Sequence, residues 1–123
     1  MRIAVCIKSD VERTTLVKWI RQYCELYQIV CTIWESNSAE SFFELVRSQS
    51  IQVAFLGLGG KEGLLMTRRL REMDKYCTIV MIDDTAENAV SGVRLHVADY
   101  MLRPVDFKRL VSSMKRVLAG GLS

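Results

Sequence analysis

The sequence lacks the histidines and the cysteine spacing that build zinc sites and Cys/His catalytic centres. It has one histidine, His96, and four cysteines, Cys6, Cys24, Cys31 and Cys77, with no Cys-x-x-Cys spacing among them. A zinc site or a Cys/His catalytic pair therefore lacks partners, and the thiols read as buried and reduced. No apolar run reaches the roughly 18 residues of a membrane span, and the opening MRIAVCIKSD turns polar too early for a secretory signal. A cytoplasmic protein without membrane contact is expected. Charge of one sign is equally scarce. A net charge of +3 is too small to mark a nucleic-acid surface, and the densest basic run, Arg68, Arg69 and Arg71, has the spacing of a solvated helix face. No direct contact with nucleic acid is expected.

What is present is the material of one domain: 123 residues, 50% hydrophobic and 25% charged. Five short runs rich in Val and Ile, RIAVCI, IVCTIW, QVAFLG, TIVMI and ADYML, have the composition of strands buried on both faces. Helical patterns separate them. The first follows Asp10, read as its N-cap, and carries Leu16, Ile20, Tyr23 and Tyr27 on one side. The second starts near Ser38 with Phe42, Leu45 and Val46 inward. The third sets Leu65, Leu70 and Met73 against the sheet, and the fourth, near Thr85 to Val93, is short. The fifth opens at Asp106 after the lone Pro104, repeats apolar groups at Phe107, Leu110, Val111, Met114 and Leu118, and meets a stop at Gly120 and Gly121. Residues 1–119 are thus expected as the domain, with 120–123 a tail or the start of a linker.

Alternating strands and helices predict a doubly wound α/β fold: a five-stranded parallel sheet with five helices on its two faces, a three-layer sandwich. Such sheets take ligands at the carboxyl ends of their strands. The third run ends there in QVAFLGLGGKEG, with Gly57, Gly59, Gly60 and Gly63. One reading is a nucleotide- or dinucleotide-binding turn over Gly57–Gly63, with Asp83 at the next strand end as a ribose-binding acid. The strict dinucleotide pattern needs glycine where Glu62 stands, and a P-loop needs Ser or Thr after Lys61.

The segment ADYMLRPVDFKRL, Ala98 to Leu110, is similar to the last strand and helix of bacterial response-regulator receiver domains (CheY-like). The opening MRIAVC resembles receivers attached to LytTR-type DNA-binding domains. This resemblance, which spans essentially the whole chain, implies strand order 2-1-3-4-5, bacterial two-component signal transduction and transcription regulation. A receiver holds Mg²⁺ through an acidic pair after the first strand and an acceptor aspartate after the third. A lysine on the fifth strand and a Thr or Ser on the fourth complete the site.

Every one of those positions departs from the pattern here. The acidic pair falls on Ile7 and Lys8, the acceptor on Gly57, the hydroxyl position on Asp83 and the lysine on Arg103. Glycine cannot form an acyl phosphate, and Asp83 or Asp84 would be acceptors on the wrong strand. The resemblance therefore implies a degenerate pseudo-receiver: a non-enzymatic, phosphorylation-independent interaction module with no metal and no cofactor. Gly59 and Gly60 are expected at positive φ, folding the loop over the vacated pocket. An ion pair between Asp83 and Arg103 is a candidate conformational lock, with Lys8 sharing Asp83 or Asp84. The family's output face, formed by the fourth helix, fifth strand and fifth helix, would present Val90, Arg94, Tyr100, Lys108 and Arg109 to a protein partner or a second copy. Tyr100 matches the family's switch aromatic. A DNA-binding domain beyond Ser123 is the further implied partner.

Overall fold

A computed structural model describes the backbone over residues 1–122 and side chains through Ala119. Ten elements alternate: β1 (Arg2–Cys6), α1 (Asp10–Leu26), β2 (Thr32–Ser36), α2 (Ala39–Ser48), β3 (Val53–Leu56), α3 (Gly60–Met73), β4 (Thr78–Asp83), α4 (Ala89–Arg94), β5 (Asp99–Leu102) and α5 (Phe107–Leu122). All strand pairings are parallel, in the order β2-β1-β3-β4-β5. This is the doubly wound sheet expected from the sequence, and its order reverses between β1 and β3.

Strand alternation divides the core into two layers. Ile3, Val5, Ile7, Val53, Phe55, Val80, Ile82 and Met101 pack with Leu16 and Ile20 of α1 and with Leu110, Met114 and Val117 of α5. On the opposite face, Ala4, Cys6, Ala54, Leu56, Ile79 and Met81 pack with Phe42 and Phe43 of α2 and with Met66 and Leu70 of α3. The register sets Cys6 beside Leu56, Leu56 beside Met81 and Asp83 beside Leu102, so Ile7, Gly57 and Arg103 emerge together at one edge.

Several local expectations need correction. Ser9, not Asp10, caps α1: its hydroxyl accepts from the Glu12 N–H at 3.2 Å, and Asp10 lies in the first turn bonded to Arg13 at 2.6 Å. Tyr27 is the C-cap of α1 and is exposed. In α3 the inward residues are Gly63, Met66, Thr67 and Leu70, whereas Leu65 and Met73 face solvent. Leu65 and Leu70 are five residues apart, about 140° around a helix, and cannot share its buried stripe. Of the basic run, Arg68 and Arg69 are exposed as expected, and Arg71 is the exception. Arg71 donates to the carbonyls of Asp74, Lys75, Cys77, Leu95 and His96, and Arg69 lies 3.9 Å over the Phe43 ring. Helix α5 continues through Leu122, so Gly120 and Gly121 do not stop it. A helical glycine costs only about 1 kcal/mol relative to alanine. Of the expected tail at 120–123, the backbone of 120–122 thus belongs to α5, and Ser123 lies outside the described residues.

Candidate functional site

The carboxyl ends of β1, β3, β4 and β5 bring Ile7, Gly57, Asp83 and Arg103 together. Gly57 is buried, and its N–H donates to the Cys6 carbonyl at 2.8 Å. A Cβ at this position would lie 2.9 Å from Ile7 Cγ1 and 3.1 Å from Arg103 Nη2. The volume into which a side chain at 57 would grow is therefore taken by a buried alkyl group and a guanidinium. Arg103 is held in place: Nη2 donates to the Gly57 carbonyl, Nε donates to Glu12 Oε2 at 2.7 Å, and Nη1 lies 3.6 Å from Asp84 Oδ1.

Gly57→Ala is expected to destabilise the fold by about 1–3 kcal/mol, the usual cost of overpacking, measured by urea denaturation. Ile7→Ala removes the opposing Cγ1, so the two changes together should cost less than their sum. Simple additivity in that double-mutant cycle would contradict the contact.

The expected Asp83–Arg103 ion pair does not form. Strand alternation explains why: Arg103 has the parity of Met101, which faces α1 and α5, whereas Asp83 has the parity of Ile79 and Met81, which face α2 and α3. Asp83 instead meets Tyr100, on its own side. Only 3% exposed, Asp83 accepts from the Tyr100 hydroxyl at 2.8 Å, Asn88 Nδ2 at 3.2 Å, Gly60 N at 3.2 Å and Asp84 N at 2.8 Å. Burial alone pushes its carboxyl pKa up, and these four hydrogen bonds outweigh burial and hold it below the usual carboxylate range. Burial and the Asp83 charge push the Tyr100 phenol up to about 12, so it stays protonated and able to donate. The same hydroxyl lies 2.8 Å from the Thr85 carbonyl.

These bonds also argue against the nucleotide-binding reading. The Gly60 amide opens α3, where a phosphate would be received, and it is already bound to the Asp83 carboxylate. Asp83 in turn is buried and already accepts four hydrogen bonds. Gly59 and Gly60 do take positive φ, 75° and 58°, as expected, which lets the loop turn its amide toward Asp83.

Divalent metal does not fit the residues present. Ile7 offers no ligand, Lys8 is exposed and carries a like charge, and the Arg103 guanidinium fills the space against Gly57. Among the described residues Lys8 pairs with neither Asp83 nor Asp84. Sequence reasoning missed Glu12, whose only signal was its place in the first turn of α1, and Asn88, which had none.

On the expected output face, Val90, Arg94 and Lys108 are exposed and Tyr100 is half-buried. Val93 is exposed beside them in sequence. Arg109 is not a free surface charge. It grips Asp99 through two bonds, Nη1–Oδ2 at 2.7 Å and Nη2–Oδ1 at 2.9 Å, and donates to the Tyr100 carbonyl at 3.2 Å. Arg116 adds a third contact to Asp99 at 3.1 Å. Among the described residues no helix is long and apolar enough to cross a membrane.

No family model and no curated protein matches the sequence. Solved structures do share its fold. The response regulatory domain of protein mrkE from Klebsiella pneumoniae superposes with a TM-score of 0.84 at 18% identity, covering 100% of both chains. The receiver domain of NtrX from Brucella abortus gives 0.81 at 19% identity over 95% of this chain and 98% of that one. The REC domain of AraT, a response regulator from Geobacillus stearothermophilus, gives 0.81 at 22% identity over 98% and 95%. At such identities the likeness establishes that this chain has the fold of response-regulator receiver domains.

Proposed function

We propose that the chain is a pseudo-receiver: a signalling module that binds protein partners without being phosphorylated, within bacterial transcription regulation. The observation that carries this reading is the filled acceptor position, where Gly57 has no side chain and Arg103 and Ile7 occupy the space one would need. A phosphoryl group has nothing to attach to there. In place of a phosphate-sensing hydroxyl, the carboxylate of Asp83 holds Tyr100, the residue at the switch-aromatic position, by a 2.8 Å hydrogen bond. The switch is thus set by an internal charge, and input arrives through partner concentration, a ligand or self-association.

Partners dock on the α4-β5-α5 face in this reading, where Val90 and Val93 stand exposed on α4 with Arg94, and Lys108 stands exposed on α5. Changing both valines to glutamate is expected to abolish self-association or effector binding while leaving the thermal midpoint within the range of neutral surface changes. Adding Mg²⁺ with beryllofluoride is expected to leave Trp19 and Trp34 fluorescence and the sedimentation profile unchanged. A metal-dependent change in oligomeric state would contradict phosphorylation independence. A LytTR-type DNA-binding domain following Ser123 in the native reading frame would make the full protein a transcription factor, whereas a stop there would make it a stand-alone adaptor.

A further inference from the structure

We propose that the cleft between the first turns of α1 and the β5–α5 loop binds a small neutral aromatic molecule carrying one hydrogen-bond donor, of the phenol or indole class. The cleft encloses about 390 Å³, within the usual range of small-molecule sites. It opens at the carboxyl edge of the sheet, where doubly wound folds take ligands. Ile7 and Ile82 line it from the strand ends, Leu16 and Trp19 from α1, and Val105 from the loop before α5.

Three features select the occupant. First, the polar end of the cleft is the Glu12–Arg103 pair at 2.7 Å, whose charges offset each other. An anion there meets Glu12 and a cation meets Arg103, so a neutral molecule is favoured. Second, Arg103 engages only Oε2 of Glu12, which leaves Oε1 of this half-buried carboxylate, and the half-buried Thr15 hydroxyl that also lines the cleft, open to accept from a ligand. A ligand O–H or N–H donates to either in place of solvent, and a hydrogen bond to a carboxylate is among the stronger ones. Third, Glu12, Leu16 and Trp19 are spaced by four and three, so they present acceptor, alkyl wall and indole along one helix face. A flat ring lies against such a wall at little cost in conformational entropy. A partner's amphipathic helix would need a groove running along several turns. The chemistry of the cleft is the same whether or not the chain is a signalling module.

The test is an NMR titration of the ¹⁵N-labelled chain with phenol, indole, toluene and benzoate. Phenol and indole should give saturable amide shifts confined to residues 9–19 and 103–105, with a Kd of about 1 mM or tighter. Toluene, which lacks the donor, should bind about tenfold more weakly, and benzoate weaker still. Thr15→Phe, which grows a ring into the cleft from a half-buried rim position, should abolish the shifts while the spectrum stays dispersed. If that variant fails to fold, Glu12→Ala should bind phenol no better than toluene. Unsaturable shifts, shifts centred elsewhere, or equal affinity of the wild-type chain for phenol and toluene would overturn the proposal.

Discussion

Replacing Asp83 with alanine is expected to remove about 3 kcal/mol of stability and to release Tyr100 from its position on the sheet. The carboxylate is buried and serves four donors: a phenol, a side-chain amide and the backbone amides of Gly60 and Asp84. Truncation strands the Gly60 and Asp84 amides, and an orphaned buried donor costs roughly 1–3 kcal/mol, whereas the Tyr100 hydroxyl keeps the Thr85 carbonyl and the Asn88 amide keeps the Gly60 carbonyl. Relaxation of the Asn88 side chain toward solvent moderates the sum, since Asn88 is half-buried. Asp83→Asn keeps the shape and one acceptor oxygen, so about half the loss is expected. Urea denaturation measures the stability, and amide exchange across β5 measures the release. If exchange at residues 99–102 in the alanine variant matched wild type, Asp83 would not be what holds Tyr100 in place.

Asp99→Ala is the second large effect, expected at about 3 kcal/mol. The Asp99 side chain is 2% exposed and receives both ends of the Arg109 guanidinium together with Arg116. Removing one partner of a buried pair costs roughly 3–5 kcal/mol because the other charge is stranded. Here the lower figure applies, since the Arg109 side chain is 33% exposed and can turn to water.

The same pair gives the pH dependence its sign. Burial raises the Asp99 pKa, the Arg109 hydrogen bond and charge lower it by more, and the net direction is down; Asp83 also ends up below its ordinary value. A carboxyl whose folded pKa lies below its unfolded value, about 3.9, contributes stability that is complete above that value. The contribution is lost as pH falls through the folded pKa. Stability should therefore be flat from neutral pH to about 5 and fall below about 4. Asp99→Asn and Asp83→Asn should each show a shallower acid limb than wild type, and an acid limb as steep in both would contradict the assignment.

Much of this was legible in advance because buried parallel strands announce themselves. Runs such as QVAFLG and TIVMI have no polar face, and their spacing by helical patterns leaves few alternatives to a doubly wound sheet. The vacancy at Gly57 was equally plain once that glycine sat at a strand end. What the sequence hid was which side of the sheet each site residue faced. Counting parity from Met101 and Met81 would have separated Arg103 from Asp83 and paired Asp83 with Tyr100. Glu12 was beyond such counting. Its bond to Arg103 joins residues 91 positions apart, and a carboxylate in the first turn of a helix is ordinarily explained by the helix itself. The same holds for Arg71, whose five carbonyl partners lie in turns that no periodicity describes. Arg109 and Asp99 carried a weak signal: an acid inside an otherwise apolar strand run needs a cation, and the next helix supplies one ten residues on.

The most direct test of the proposed pseudo-receiver concerns residue 57, where an alkyl group and a guanidinium stand in the space a side chain would need. Intact-mass spectrometry after incubation with acetyl phosphate and millimolar Mg²⁺ should return the unmodified mass, with and without the metal. A stoichiometric phosphoryl adduct that forms only with magnesium would contradict it.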